Sequence, residues 1–180
     1  LQELEEICAA ASVDLVVSRA VFHWIPLADY ERCYEAVFAV LKPGGWLHAE
    51  SGGYGNARQI RAVLDEIALS LGLPPARVTL PDAGTVLELL ERAGFRLGEG
   101  AVRTVAQRRR FDRDGLLGFV RTQAVQAYAS ESTPEAREAF LAEVERNLNL
   151  LRRHDGTYDQ TFVRLDVLCQ RPSPGQGATS

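Results

Sequence analysis

The feature that most constrains the fold is a five-residue run near the start of the chain, Val13-Asp14-Leu15-Val16-Val17. The run is short, rich in β-branched residues and apolar at every position but one. This composition is typical of a parallel strand that is buried within a sheet. Because such a strand needs a neighbour on each side, the run predicts an α/β fold with a mostly parallel sheet.

The segments after this run alternate between helical and extended patterns. A loop from Ser18 to Pro26 leads to a helix that Asp29 can cap. The turn Lys42-Pro43-Gly44-Gly45 ends that helix, and a second strand at 46–50 opens into a loop at 51–56. Further helices are predicted around 60–71 and 86–93, the latter closed by Gly94, and a strand at 101–111. The alternation favours one domain over residues 1–172.

The last third of the chain predicts a helical insertion before a final strand. Two helices occupy about 113–153, and the second begins at the capping pattern Ser132-Thr133-Pro134-Glu135. Residues 162–169 alternate apolar and polar side chains, which predicts a half-buried strand. The segment 173–180 is rich in Pro, Gly and Ser, and we expect it to be a disordered tail.

Charge and composition narrow the class of partner. The net charge is -4 and the pI near 5.5, so nothing draws the chain as a whole to nucleic acid or an anionic membrane. No apolar run is long enough for a membrane span, and we expect a cytoplasmic protein. The chain has three cysteines, an odd count with no close pair, and its histidines lack ligand spacing, so we predict neither disulfides nor a metal site. It starts at Leu1 and contains no Met, so we expect residues to precede it in the natural protein.

The order of motifs between residues 13 and 50 resembles the fourth and fifth strand units of class I S-adenosylmethionine-dependent methyltransferases. The motifs are the strand, the loop Ser-Arg-Ala-Val-Phe-His-Trp, a helix, Leu-Lys-Pro-Gly-Gly and a strand. Leu89-Leu90-Glu91-Arg92-Ala93-Gly94-Phe95 resembles the helix and turn before that family's sixth strand. The pair His23-Trp24 is similar to the branch with trans-aconitate and malonyl-carrier-protein methyltransferases. The resemblance covers most of residues 13–172.

The resemblance implies only the C-terminal part of such a domain. The family's glycine-rich cofactor loop has no counterpart, since no G-x-G-x-G occurs anywhere in the chain. The expected fold is an incomplete Rossmann-like methyltransferase sheet with strand order 4-5-7-6, the last strand antiparallel. Strand 13–17 would then lie at a bare apolar edge, which invites pairing. We expect a missing N-terminal half or a homodimer partner to cover it.

The family's cofactor, S-adenosylmethionine, implies a site at the carboxyl ends of the strands, because ligands of doubly wound sheets bind there. By resemblance, Ser18, Arg19, Ala20 and His23 contact the cofactor. His23 is also a candidate catalytic base, and Trp24 a candidate wall for the substrate. Alternatively, Ser18 to Ala20 form an ordinary turn and Trp24 belongs to the core.

Substrate contacts are predicted on three further residues. Glu50 and Tyr54 follow the second strand, where the family often places them. Arg108, the first of three consecutive arginines, can clamp a carboxylate, since a guanidinium offers two parallel donors. The competing interpretation is a solvated basic surface.

The leading functional hypothesis is methyl transfer to a small-molecule acceptor, possibly a carboxylate, that requires an N-terminal half. The alternative is a non-catalytic interaction or dimerisation domain derived from a methyltransferase half-fold. Half of a nicotinamide-dependent dehydrogenase shares the sheet, but it does not predict the His-Trp loop followed by Leu-Lys-Pro-Gly-Gly.

Overall fold

A computed structural model of the chain describes residues 4–174, apart from the side chain of Glu5. It contains one four-stranded sheet, one helix before the first strand, and helices in the connections between the strands. In chain order the elements are α1 (Leu4–Ile7), β1 (Val13–Arg19), α2 (Tyr30–Val40), β2 (Leu41–Gly52), α3 (Arg58–Ser70), α4 (Ala83–Arg92), β3 (Val102–Phe111), α5 (Arg113–Phe119), α6 (Val125–Ala129), α7 (Pro134–Asn147) and β4 (Tyr158–Gln170).

The strand order in the sheet is β1-β2-β4-β3. Strand β1 runs parallel to β2, with Leu15 opposite Trp46 and Arg19 opposite Glu50. Strand β4 runs antiparallel to β2, with Leu47 opposite Cys169. This order equals the predicted 4-5-7-6 with an antiparallel last strand, so the predicted α/β fold with a Rossmann-like strand order is confirmed.

Several boundaries differ from the sequence-based ones. The turn Lys42-Pro43-Gly44-Gly45 lies inside β2, which starts at Leu41 directly after α2. Asp29 occupies the N-cap position of α2, but its side chain accepts no capping hydrogen bond. The first helix, α1, spans Leu4–Ile7, and positions 1–3 lie outside the described residues. Residues 175–180 of the predicted tail also lie outside the described part of the chain.

Other predicted ends are confirmed in atomic detail. Gly94 follows α4 with φ +91°, a left-handed conformation that glycine adopts without strain. The amide of Phe95 then donates to the carbonyl of Leu90 at 3.1 Å. Thr133 caps α7 by accepting the Ala136 amide, as the capping pattern predicts. The helices of residues 113–153 lie between β3 and β4, and this confirms the predicted insertion.

The chain divides into two compact units. The first comprises Leu1–Tyr54, Thr79–Val105 and Val163–Ser180. Its core consists of side chains from α2, α4, the segments next to these helices and one face of the sheet: Phe22, Tyr30, Cys33, Tyr34, Val37, Leu41, Leu47, Ala49, Val86, Leu89, Leu90, Ala93, Phe95, Leu165, Val167 and Cys169. Burial raises the pKa of the Cys169 thiol to about 12, so this cysteine is an inert core residue.

The second unit comprises Gly55–Val78 and Ala106–Phe162. Its core joins α3 to the helices of the insertion and to the start of β4: Ala57, Ile60, Val63, Leu64, Ile67, Ala68, Leu116, Leu117, Val120, Val125, Ala127, Tyr128, Ala129, Phe140, Val144, Leu148, Tyr158 and Phe162. Its helical run includes a π-helical turn at Val120–Ala124. Within residues 4–174, no helix is both long and apolar enough to cross a membrane.

Candidate functional site

One face of the first unit's sheet is covered by helices, and the other is open. Side chains alternate along a strand, so Val16 and Ser18 point to the covered face while Leu15 and Val17 point away from it. Leu15 is 52% exposed and Val17 64% exposed, although both lie on the predicted buried strand. In the described residues β1 pairs only with β2. In the described residues the predicted uncovered edge is therefore present, with two exposed apolar side chains on its open face.

The predicted cofactor residues lie where β1 ends. The hydroxyl of Ser18 is buried and has no hydrogen-bond partner. Leaving such a group unpaired costs free energy, so an unpaired buried hydroxyl is a candidate position for a ligand contact. Ala20 has φ +57°, a left-handed conformation that is uncommon for alanine, and its amide donates to the carbonyl of Glu50 at 2.8 Å. This bond ties the loop after β1 to the end of β2.

Arg19 and Glu50 face the open side of the sheet and interact with each other. The Nε atom of Arg19 lies 3.6 Å from Oε1 of Glu50, and the Arg19 side chain is 81% exposed. An exposed ion pair of this kind contributes about 1 kcal/mol or less. The two predicted site residues thus lie side by side, and both remain accessible to a third group.

His23 is half-buried in a short 3₁₀ turn, Phe22–Trp24. Its Nδ1 atom accepts the Gly52 amide at 3.4 Å, which joins it to the end of β2. Burial, with a smaller effect of the nearby Arg164 charge, lowers the pKa of His23 below its ordinary value. The lowered pKa favours the neutral ring at pH 7, and an accepting Nδ1 assigns the ring proton to Nε2.

The two aromatic candidates are exposed. Trp24 is 45% exposed, and its ring centroid lies 5.1 Å from that of His23. Tyr54 is 73% exposed and follows Gly53, where an added Cβ would lie 2.7 Å from Cγ of Leu165. The glycine before Tyr54 thus serves close packing inside the unit. Trp24 is not a core residue, which removes the alternative considered for it.

A segment that the sequence did not single out connects the two loops. The amide of Thr79 donates to the carbonyl of His23 at 2.8 Å, and the Tyr54 amide donates to the carbonyl of Pro81 at 2.9 Å. Residues 79–81 therefore hold the loop after β1 and the loop after β2 in place. No motif marks this segment, because its contribution comes from backbone groups that every residue carries.

Arg108 belongs to the second unit, where the arginine run divides between two faces of β3. Arg108 and Arg110 both bind Asp159 on β4, Arg110 through Nε at 3.1 Å. Arg109 points the other way and lies over the Phe162 ring at 5.2 Å. Arg153 adds a third guanidinium to Asp159, with its Nη1 atom 2.8 Å from Oδ2. The run is thus part of an ion-pair cluster around one carboxylate.

The structure places seven of the eight predicted site residues in the first unit, namely Ser18, Arg19, Ala20, His23, Trp24, Glu50 and Tyr54. Six of them lie at the carboxyl ends of β1 and β2 or in the loop after β1, and Tyr54 follows β2 by two residues. Among the described residues, no group of three or more His, Cys, Asp or Glu side chains is arranged to hold a metal ion.

Comparison with known proteins agrees with this fold. The model of one protein family, described as a methyltransferase domain, matches residues 2–49. A candidate methyltransferase from Bacillus halodurans C-125 has a similar structure, with a TM-score of 0.53 and 13% sequence identity over 91% of this chain and 66% of that one. The YcgJ protein of Bacillus subtilis gives a TM-score of 0.53 and 9% identity, with the same coverage of both chains. No curated protein matches the sequence.

The 180 residues span just under two thirds of the length of these two solved structures. At such low identity the likeness shows the fold alone. The match of the family model is confined to the segment that holds α1, β1, α2 and most of β2. This is the segment in which the predicted cofactor residues and the His-Trp pair lie.

Proposed function

We propose that this chain is the C-terminal part of an S-adenosylmethionine-dependent methyltransferase that acts on a small-molecule acceptor. The observation that carries the proposal is the buried hydroxyl of Ser18, which has no partner and lies at the end of β1. Ligands of doubly wound sheets bind at this end of the strands. The family match to residues 2–49 and the strand order support the same activity.

The residues present fit one end of such a cofactor. Ser18 offers a hydroxyl that can donate or accept, and Arg19, Ala20 and His23 surround the same strand end. S-adenosylmethionine supplies a methyl group bonded to a positively charged sulfur, and this sulfur is a good leaving group. The chain's own residues then need to orient the acceptor and exclude water, rather than to activate a leaving group. The glycine-rich loop that would hold the rest of the cofactor comes, we propose, from a segment outside these 180 residues.

The geometry of His23 favours a hydrogen-bond donor over a general base. A base needs a free lone pair, and the lone pair of Nδ1 already accepts the Gly52 amide. The proton on Nε2 can be donated to an oxygen of the cofactor or of the acceptor. A catalytic role as a base would require the ring to release Gly52 first.

For the acceptor we propose contacts with Trp24, Glu50 and Tyr54. The exposed rings of Trp24 and Tyr54 offer apolar surface with a polar tip, and such rings stack on small organic molecules at low entropic cost. Glu50 is available because its pair with Arg19 is exposed and weak. The carboxylate clamp predicted at Arg108 lies in the second unit and is not part of this proposal.

A second candidate function, an interaction or dimerisation domain, rests on the exposed apolar residues of β1. Leu15 and Val17 expose apolar side chains on an edge strand, which is a surface that another chain can cover. The chain would then be an interaction or dimerisation domain that lacks cofactor chemistry. A second copy of the chain or an N-terminal half of the same protein would occupy the surface.

Calorimetric titration with S-adenosylhomocysteine tests the first proposal. We expect micromolar binding to a longer natural protein that contains these residues and none to the 180-residue chain at about 1 mM ligand. Ser18→Ala should weaken binding about tenfold, because it removes a hydrogen bond to a charged ligand group. Ser12→Ala is the matched control, since Ser12 precedes the same strand and its hydroxyl already donates to Ala9 at 2.6 Å.

The outcomes separate the two candidates. Failure of the longer protein to bind S-adenosylhomocysteine at about 1 mM would reject methyl transfer and leave the interaction domain. If Ser18→Ala raises stability without changing binding, the hydroxyl is only an unpaired core group and the cofactor does not reach it.

A further inference from the structure

The second unit contains a polar surface cavity that the proposed function does not use. Its volume is about 330 Å³, and its lining combines α3, β3, β4 and the segment after α7: Gln59, Arg108, Leu151, Arg153, Asp159 and Thr161. Five of these six side chains carry hydrogen-bonding groups. The cavity lies wholly within the second unit, so its properties do not depend on the first.

The charges at this cavity do not balance. Three guanidiniums, those of Arg108, Arg110 and Arg153, bind the single carboxylate of Asp159. Among the described residues, the only other carboxylate paired with these guanidiniums is that of Asp155, which lies 3.9 Å from Arg110. The local charge is therefore +1, in a chain whose net charge is -4. Such an excess of positive charge around a concave surface concentrates anions.

The donors also outnumber the acceptors. Each guanidinium has five N–H groups, and Asp159 offers two oxygens to three guanidiniums. Arg108 and Arg153 both bind Oδ2 of Asp159, so their remaining N–H groups are not satisfied by this carboxylate. The amide of Gln59 and the hydroxyl of Thr161 add neutral donors to the same lining.

We propose that this cavity, lined by Arg108, Arg153, Gln59 and Thr161, binds an anionic group of a small molecule, either a carboxylate or a phosphate. Arg108 and Arg153 provide the charge, since guanidiniums pair with both groups in a fixed fork geometry. Asp159 competes with the ligand for the two guanidiniums. Leu151 forms an apolar wall for the carbon part of the ligand. This assignment holds whether or not the chain transfers methyl groups.

Titration followed by amide NMR tests the site on the 180-residue chain. Succinate and inorganic phosphate are added at constant ionic strength, with sodium chloride as the reference. We expect saturable shifts at Gln59, Arg153 and Thr161 with a Kd of about 1 mM or tighter for the preferred anion. The neutral diamide of succinate should cause none. Shifts that grow linearly with any salt, chloride included, would refute a specific site.

Variants then distinguish a binding site from a structural ion-pair cluster. Arg153→Gln should weaken anion binding about tenfold, and Arg153→Lys should recover part of it. Arg109→Gln is the matched control, because Arg109 lies on the other face of β3 over Phe162. Asp159→Asn decides the question: a competing carboxylate predicts about tenfold tighter anion binding on its removal. Weaker binding in Asp159→Asn, measured on folded protein, would overturn the proposal.

Discussion

Truncation of Leu15 compared with truncation of Leu47 measures whether the open face of the sheet is covered in solution. The two leucines lie on neighbouring strands, but Leu47 is fully buried and Leu15 is 52% exposed. Leu→Ala at a buried position costs about 2 to 5 kcal/mol. Leu→Ala removes three carbons, and each contributes about 0.8 kcal/mol when it is fully buried. Because Leu15 is only about half buried, about half of this free energy applies to it. We therefore expect a loss of about 1 kcal/mol for Leu15→Ala and at least twice that for Leu47→Ala.

Urea denaturation of the 180-residue chain at two protein concentrations is the assay. If a second copy covers the face, the midpoint rises with concentration and the cost of Leu15→Ala rises with it. If the chain is a monomer, both values stay constant. A cost for Leu15→Ala equal to that for Leu47→Ala at every concentration would refute the reasoning, because Leu15 would then be buried within the chain itself.

Three further predictions concern single side chains. The pKa of His23 is lowered, so its contribution to stability is complete above about pH 6.5 and is lost as the pH falls through the folded-state pKa; His23→Asn should flatten this dependence in urea melts. Tyr128→Phe removes a 2.7 Å hydrogen bond to Asp65 and should cost about 1 kcal/mol by thermal denaturation. Gly53→Ala places a Cβ against Leu165 and should cost about 1 to 3 kcal/mol, with partial recovery when Leu165 is shortened to valine.

The sequence predicted the elements well where the local pattern alone determines them. The left-handed Gly94 and the capping Thr133 are local signals, and both helix ends are confirmed. The turn at 42–45 is confirmed in part: β2 runs through it, but the pairing with β1 shifts register between Leu41 and Trp46, and Gly44 has φ +82°. Gly44 donates its amide to the carbonyl of Arg171, more than a hundred residues away, and this pairing continues strand β2 through a sequence that favours a turn. Strand order likewise came from the family resemblance, not from periodicity.

The sequence predicted where in the fold the candidate site lies, but not which contacts its residues make. Residues at the carboxyl ends of β1 and β2 could be chosen from topology, because parallel strands end at the same edge. The bond between His23 and Gly52 could not be predicted, since it joins a side chain to a backbone amide. The arginine run illustrates the same limit. Alternation predicts that Arg108 and Arg110 share a face, but only the fold brings Asp159 and Arg153 to them.

Adjacent residues at the end of β1 face opposite environments, and this bears on how the cofactor and any covering chain interact. Ser18 points to the covered face and Arg19 to the open one, where it meets Glu50 beside the exposed Val17. A segment that buries Val17 would also reduce the exposure of Arg19 and Glu50. Burial makes the loss of either charged partner costly, about 3 to 5 kcal/mol against 1 or less on an open surface. A covering segment would therefore be energetically linked to Arg19 through this ion pair, whereas Ser18, on the opposite face of the strand, would not be.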